Sequence, residues 1–250
     1  MSATSVCEYL EWDSEFFGRR IARASGMCLT EELVTEIGAW CSLHRIECLY
    51  FLATARDQGT VRLAQRNGFR FVDIRLTLDF RVGTAGGGET DDSSFAVREA
   101  VEGDLPTLRE LARAGHRDSR FYYDGNFSMR QCDALYETWI EKSCRGWAQK
   151  VLVADRGRGA EGYVTCHISD PANGQIGLVS VGEKARGLGM GRYLVCDAIQ
   201  WFAQEGIGNI TVATQGRNVS AQRLYQRCGF VTRSVELWFH KWFTESGRNE

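Results

Sequence analysis

Hydrophobic and polar positions along the chain switch repeatedly between the period of a strand and that of a helix. Alternation over residues 6–12 and a short apolar run over 48–53 each predict a strand. Apolar residues then recur at helical spacing after Thr30, whose hydroxyl suits a helix N-cap. Residues 13–18 have the composition of a turn. The first 82 residues therefore mix strands and helices.

The pattern continues in the same way after residue 94. Asp104 is predicted to cap a helix, and residues 119–127 are predicted to form a polar, aromatic loop. Predicted strands and helices alternate along this part of the chain. The strands are predicted at 95–100, 150–155, 162–168, 176–181, 209–214 and within 230–243, and the later helices at 129–145, 191–205 and 219–227.

Residues 83–94 interrupt this pattern, because they are rich in glycine, aspartate and serine and contain almost nothing to bury. We therefore predict a linker over 83–94 between an N-terminal subdomain, residues 1–82, and a second domain, residues 95–250.

Composition and charge exclude several classes of protein. The 44% hydrophobic and 25% charged residues are typical of a globular protein, and the net charge of −2 gives no support to a nucleic-acid partner. No apolar run approaches the ~20 residues of a membrane span, and the N-terminus lacks a secretory signal. The nine cysteines form no C-x-x-C pair, so we expect reduced thiols in a cytoplasmic protein without a metal site.

The stretch 175–192 is typical of an anion site. An apolar strand, a polar turn, a loop containing Arg186, Gly187, Gly189 and Gly191, and the start of a helix follow one another. Backbone N–H groups of such a loop converge on one point, and the helix dipole adds positive potential there. Since a side chain would hold a phosphate away from the backbone, the glycines favour a diphosphate ligand.

An internal repeat relates the two halves of the chain. Residues 57–69 align without a gap to residues 218–230. Six aligned pairs are identical: Arg62/Arg223, Leu63/Leu224, Gln65/Gln226, Arg66/Arg227, Gly68/Gly229 and Phe69/Phe230. The repeat predicts two related subdomains, although chance similarity between two helix–Gly–Phe–strand corners is the alternative.

The second half of the chain resembles the GCN5-related N-acetyltransferases (GNAT). The resemblance rests on Val179-x-Val181, Arg186-x-x-Gly189-x-Gly191, Asn218 and Leu224-Tyr225-x-x-x-Gly229-Phe230, in that order. It covers residues 95–243 and implies an α/β fold with a mixed sheet and acetyl-CoA as acyl donor. Because the first repeat copy has no equivalent of the glycine loop, residues 1–82 are then a degenerate, acetyltransferase-like subdomain without an active site.

Three further features are similar to the acetyltransferases of dTDP-fucosamine. They are residues 10–18, Ser119-Arg120-Phe121 ahead of the predicted helix with Tyr136-x-x-Trp139-Ile140, and Val212-Ala213-Thr214-Gln215. This resemblance implies a nucleotide-linked amino-deoxysugar as acceptor, for surface polysaccharide synthesis, and allows a homodimer. A transferase acting on a protein N-terminus, an antibiotic or another small amine is one alternative, and a non-catalytic acetyl-CoA-binding module is another.

The GNAT resemblance also implies roles for individual residues. Tyr225 is expected to be the general acid, Asn218 to position the cofactor while capping a helix, and the Val179 amide to stabilise the oxyanion. The expected acetyl-CoA contacts are Val179, Val181, Arg186, Gly187, Leu188, Gly189, Met190, Gly191, Asn218 and Tyr225.

The sequence specifies two parts of the chemistry less closely, namely the general base and the residues that contact the acceptor. For the general base, ordered water ranks first, His167 second and Asp124 third. The acceptor is expected to contact residues 120–124, with Arg120 meeting a nucleotide phosphate. Phe121, Tyr122 or Tyr123 would stack on the base. The alternative is a mobile surface loop with buried aromatic residues.

Overall fold

A computed structural model of the chain describes residues 5–83 and 95–243. The described residues divide into two compact units. Unit 1 comprises residues 5–75, 120–127 and 235–243, and unit 2 comprises residues 76–83, 95–119 and 128–234. Most of the predicted linker, residues 84–94, lies outside the described residues, so the boundaries at 82 and 95 stay a prediction.

Both units contain strands and helices, as the hydrophobic pattern predicts. The strands are β1 (Cys7–Tyr9), β2 (Ile21–Ala24), β3 (Cys48–Thr54), β4 (Arg70–Arg81), β5 (Ala96–Glu99), β6 (Lys150–Asp155), β7 (Ala160–Asp170), β8 (Asn173–Val181), β9 (Asn209–Gln215) and β10 (Val231–Trp242). The helices are α1 (Glu11–Phe17), α2 (Glu31–Leu43), α3 (Gln58–Arg66), α4 (Leu105–Gly115), α5 (Arg120–Asp124), α6 (Met129–Lys142), α7 (Met190–Gln204) and α8 (Val219–Arg227).

Unit 1 contains a mixed sheet. β2 pairs antiparallel with β1 and parallel with β3, and β3 pairs antiparallel with residues 236–242 of β10. The turn predicted at 13–18 is wrong, because these residues belong to helix α1, which ends at Gly18 in the left-handed conformation. Trp12 and Phe16, four residues apart, stack on one helix face with ring centroids 5.1 Å apart, an i,i+4 contact that supports the helix.

Unit 2 contains the strands in the order β9-β8-β7-β6-β5. All these pairs are antiparallel except β8 with β9, which are parallel. Leu194, Ala198 and Phe202 of α7 are fully buried in the core of this unit. Asp104 immediately precedes α4, but its side chain does not cap that helix. Its carboxylate accepts hydrogen bonds from Arg98 and the Val101 amide instead.

The two repeat copies have the same local structure. Helices α3 and α8 each contain nine residues and are capped by the side chains of Asp57 and Asn218 respectively. Each ends at a glycine with positive φ, 76° in Gly68 and 91° in Gly229. The aligned sequences therefore form the same corner between a helix and the following strand.

Within the described residues, no helix is both long and apolar enough to cross a bilayer. The same residues contain no group of three or more metal-ligating side chains. All nine cysteines are free thiols, and six of them are buried.

Candidate functional site

The parallel strands β8 and β9 separate partway along their length. Their pairing ends at Ile176 and Val212, although β8 continues to Val181 and β9 to Gln215. Against β7, the register shifts so that Gly177 and Leu178 both face Thr165, which is a β-bulge. Residues 177–181 of β8 therefore have one edge that does not pair with β9.

The glycine loop follows this separated segment and leads into α7. Gly187 and Gly189 have φ angles of 81° and 79°, which only glycine adopts readily. At Gly191 a Cβ atom would lie 3.3 Å from the Leu224 side chain. Backbone conformation thus favours glycine at Gly187 and Gly189, and at Gly191 an added side chain would need the Leu224 side chain to shift slightly.

A cavity of about 620 Å³ lies between these elements of unit 2. Nine of the ten residues that the sequence predicts as cofactor contacts line it: Val179, Val181, Arg186, Gly187, Gly189, Met190, Gly191, Asn218 and Tyr225. Leu188 is half exposed and is not part of the lining. The structure therefore brings together most of the predicted set, from a strand, a loop and two helices.

Four arginines give the cavity a positive lining, and sequence reasoning identified only Arg186. The others are Arg192 in the first turn of α7, and Arg223 and Arg227 on α8. The i,i+4 spacing of Arg223 and Arg227 could have indicated this from the sequence, because it places both side chains on one face of the helix. Together with the N-terminus of α7, these side chains favour an anionic ligand.

Asn218 and Tyr225 occupy defined positions at this cavity. The Asn218 Oδ1 accepts a hydrogen bond of 3.0 Å from the Ala221 amide, as predicted for an N-cap. Tyr225 is only 5% exposed and contacts Phe230 edge to face. Burial, and then the nearby Cys228 thiol, raise the pKa of Tyr225 well above its ordinary value. The phenol is therefore protonated at neutral pH and available as a hydrogen-bond donor.

His167, on strand β7, lines a second cavity of about 410 Å³, which Gln175, Gly177 and Leu178 of β8 also line. Its Nε2 is 3.2 Å from the Thr165 Oγ1, which accepts a hydrogen bond from the Leu178 amide. Burial lowers the pKa of His167, and a hydrogen bond to the Trp147 backbone partly offsets this effect. When the neutral ring carries its proton on Nδ1, Nε2 is an acceptor and can receive a hydrogen bond from the Thr165 hydroxyl.

The predicted acceptor loop is instead helix α5, and it belongs to unit 1. Phe121 is 4% exposed and packs against Phe17 and Phe127. Tyr122 is partly buried, and Tyr123 is exposed. Sequence reasoning missed this helix because its buried residues find their partners far along the chain.

Arg120 and Asp124 flank a buried histidine in unit 1. The Arg120 guanidinium lies over the Tyr50 ring and donates to the His240 Nε2 at 2.6 Å. The His240 Nδ1 and the Trp242 indole both donate to the Asp124 carboxylate. Burial alone would raise the pKa of Asp124, but these hydrogen bonds lower it to about 2. Asp124 is thus a poor proton acceptor, and the acceptor contacts of residues 120–123 stay a prediction.

Sequence comparisons relate this chain to acetyltransferases. A model of the acetyltransferase (GNAT) family matches residues 109–230. The chain is 28% identical over 246 residues to the dTDP-fucosamine acetyltransferase of Escherichia coli, covering 96% of this chain and all of that enzyme. It is 26% identical over 148 residues to the spore coat polysaccharide biosynthesis protein SpsD of Bacillus subtilis, covering 59% of this chain and 51% of the relative.

Structural comparison gives the same fold. A GCN5-related N-acetyltransferase from Sphaerobacter thermophilus superposes with a TM-score of 0.67 at 17% identity, covering 94% of this chain and 76% of that one. The predicted α/β fold of the GNAT type is therefore confirmed.

Proposed function

We propose that this chain, whose residues 109–230 match the model of the acetyltransferase (GNAT) family, is an N-acetyltransferase that transfers an acetyl group from acetyl-CoA to a nucleotide-linked amino-deoxysugar. The observation that carries the acceptor is the match to the E. coli dTDP-fucosamine acetyltransferase over that enzyme's whole length. The polysaccharide-related name of the B. subtilis relative supports the same substrate class.

The first cavity fits the donor. Acetyl-CoA carries a diphosphate, and the glycine loop, the α7 N-terminus and the four arginines offer backbone N–H groups and positive charge to it. Its pantetheine arm would lie along residues 179–181 of β8, where β9 no longer occupies the strand edge. Asn218 would position the arm from the start of α8.

The Val179 amide is the proposed oxyanion donor. During attack the amine nitrogen bonds to the thioester carbon, and the carbonyl oxygen gains negative charge. A backbone N–H fixed at this oxygen stabilises the charge without reorganising. The bulge in β8 immediately precedes Val179 and redirects the strand at this point.

Tyr225 then acts as the thiolate leaves. When the carbon–sulfur bond breaks, the electron pair stays on sulfur, which requires a hydrogen-bond or proton donor. An ordinary tyrosine has a pKa of ~10 and a thiol ~8.5. Burial raises the pKa of Tyr225 further, so full proton transfer is unfavourable and a strong hydrogen bond to the thiolate is its main contribution.

His167 is the side chain that we assign as base. A sugar ammonium must lose its proton before the nitrogen lone pair can attack. The lowered pKa of His167 keeps its ring neutral near pH 7, and Nε2 faces the strand at Gly177, where an added Cβ would lie 2.6 Å from it. We assign proton transfer from the ammonium through an ordered water to His167, which combines the two first-ranked candidates for the base. After attack the nitrogen loses a further proton as the amide forms, and this proton passes through water to the thiolate, so that CoA leaves as the thiol.

A thiol-release assay with a panel of amines tests the function. We expect CoA release with dTDP-4-amino-4,6-dideoxygalactose and related nucleotide amino sugars, and mass spectrometry should find one added acetyl group on the amine. Peptides with free N-termini and simple amines serve as comparison acceptors. Turnover on those alone would exclude the sugar acceptor, and acetyl-CoA binding without turnover on any amine would exclude catalysis.

A further inference from the structure

Two cavities of unit 2 border consecutive residues of strand β8. The first is lined by Val179 and its successors, and the second by Gln175, Gly177 and Leu178. Consecutive residues of a strand are separated by only about 3.3 Å, so the two linings come within one residue of each other at the β-bulge, which also interrupts the alternation of side chains between the two faces of the sheet. A group in the second cavity is therefore next to the strand segment that we assign to the thioester.

We propose that this second cavity binds the sugar ring of the acceptor, an inference that rests on the proposed function. Its volume of about 410 Å³ lies in the usual range for small-molecule sites, roughly 300–1,000 Å³. The nucleotide of the acceptor extends beyond this cavity. No residue is assigned to both the donor and the sugar ring, because the two cavities share no lining residue.

The chemistry of the lining suits a deoxyhexose. The indoles of Trp139 and Trp147 offer flat apolar surfaces, and Trp147 is 56% exposed although it is among the largest apolar side chains. Such a surface packs against the C–H face of a pyranose ring, while polar groups at its edge select the hydroxyls. The Trp147 ring is set 5.1 Å from the His167 ring, at 67°, which forms two walls of the cavity.

Amide side chains provide the polar groups. Gln149 is held in place because its Oε1 accepts a hydrogen bond of 2.8 Å from the Ile168 amide, which points the Nε2 group as a donor. Gln175 lines the cavity from β8, beside Gly177. A ring held by these amides and the indole presents its amine to the bulge and to His167, and no side chain at residue 177 blocks the approach.

Steady-state kinetics of Trp147→Ala test the assignment. With dTDP-4-amino-4,6-dideoxygalactose as acceptor, we expect its KM to rise at least tenfold and the KM of acetyl-CoA to stay within twofold. The inhibition constant of dTDP alone should also stay unchanged, because dTDP lacks the ring. Trp147→Phe should recover most of the acceptor affinity. Trp40→Ala, which removes an indole stacked on His44 in unit 1, is the matched control and should behave like the wild type.

The remaining outcomes overturn the assignment in distinguishable ways. A parallel weakening of dTDP would place the nucleotide in this cavity instead of the sugar. Unchanged acceptor kinetics in Trp147→Ala, with normal wild-type turnover, would overturn this inference alone. Absence of wild-type turnover on every nucleotide amino sugar would overturn the proposed acceptor and, with it, this subsite.

Discussion

The two copies of the repeat form the same corner between a helix and a strand, but they differ in the side chain at the aligned positions 64 and 225. In both, a side-chain cap starts a nine-residue helix and a left-handed glycine ends it. The amides of Phe69 and Phe230 close the corner with equivalent hydrogen bonds of 3.0 Å, to the carbonyls of Ala64 and Tyr225. The residue whose carbonyl accepts this bond is alanine in one copy and tyrosine in the other, so the corner itself does not depend on the tyrosine side chain.

The strands that precede the two helices differ more. In unit 1, β3 pairs with β10 along its whole length and with β2 at its start. In unit 2, β9 leaves β8 after Val212, and a cavity occupies the space beyond. The comparison indicates that a site needs an opened pair of strands as well as the helix corner. In unit 1 the parallel pair β2–β3 also ends early, at Tyr50, but β2 stops at Ala24, whereas β8 continues to Val181 beyond its last pair with β9.

The largest expected effect is on kcat, and it comes from replacing Tyr225, which has no equivalent in the first copy of the repeat. We expect Tyr225→Phe to lower kcat by about 100-fold or more, because the departing thiolate loses its hydrogen-bond donor. Acetyl-CoA affinity should change little, since the ring remains. Stopped-flow or steady-state thiol release, together with calorimetric titration of acetyl-CoA, measures both quantities.

The matched change in the other copy is Ala64→Gly. Glycine in a helix interior costs about 1 kcal/mol, so this variant should melt earlier while kcat stays at the wild-type value. Unchanged kcat in Tyr225→Phe would exclude the tyrosine from the chemistry, and reduced kcat in Ala64→Gly would show that the first copy is not catalytically silent.

Each unit also contains a histidine, His240 in unit 1 and His116 in unit 2, whose lowered pKa should make stability depend on pH. Burial lowers the pKa of His240 and of His116 to about 4. An unfolded histidine has a pKa of ~6.5, so below that pH the unfolded chain binds protons that the folded chain does not. Stability is therefore full above about pH 6.5 and is lost as the pH falls towards 4.

By about pH 5 each histidine should remove about 2 kcal/mol from the free energy of unfolding. Urea unfolding at about pH 7.5 and pH 5 measures the loss in the wild type. His240→Gln and His116→Gln should each be less stable at neutral pH but should lose less on acidification. A pH dependence identical to that of the wild type in either variant would contradict the assignment of that histidine.

The smallest expected effects concern the helix caps. Asp57→Ala and Asn218→Ala should each lower the free energy of unfolding by about 1 kcal/mol, because each leaves helix N–H groups without an acceptor. Only Asn218→Ala should also raise the KM of acetyl-CoA, since Asn218 lines the donor cavity. An equal KM of acetyl-CoA in the two variants would mean that Asn218 acts only as a helix cap.

Local sequence signals predicted much of the fold. Helix α8 was predicted at its observed bounds, and the glycine loop was predicted because its spacing, backbone conformation and following helix are all local properties. Helix α5 was not predicted, since its Arg120 is stabilised by His240, 120 residues away in the sequence. The second cavity was also missed, because Trp147 and Gly177 meet only after α6, β7 and β8 have packed.

The bulge in β8 has a consequence for how such enzymes diversify. In the proposed arrangement, neighbouring halves of one strand recognise two different molecules, and the change of register lies between them. Substitutions at 175–178 would then alter recognition of the acceptor, while residues 179–181 would keep that of the donor. Conversely, inserting or deleting one residue in the strand would turn every later side chain to the opposite face and damage recognition of the donor. New acceptor specificity is therefore expected to evolve here by point substitution, and not by a change in the length of the strand.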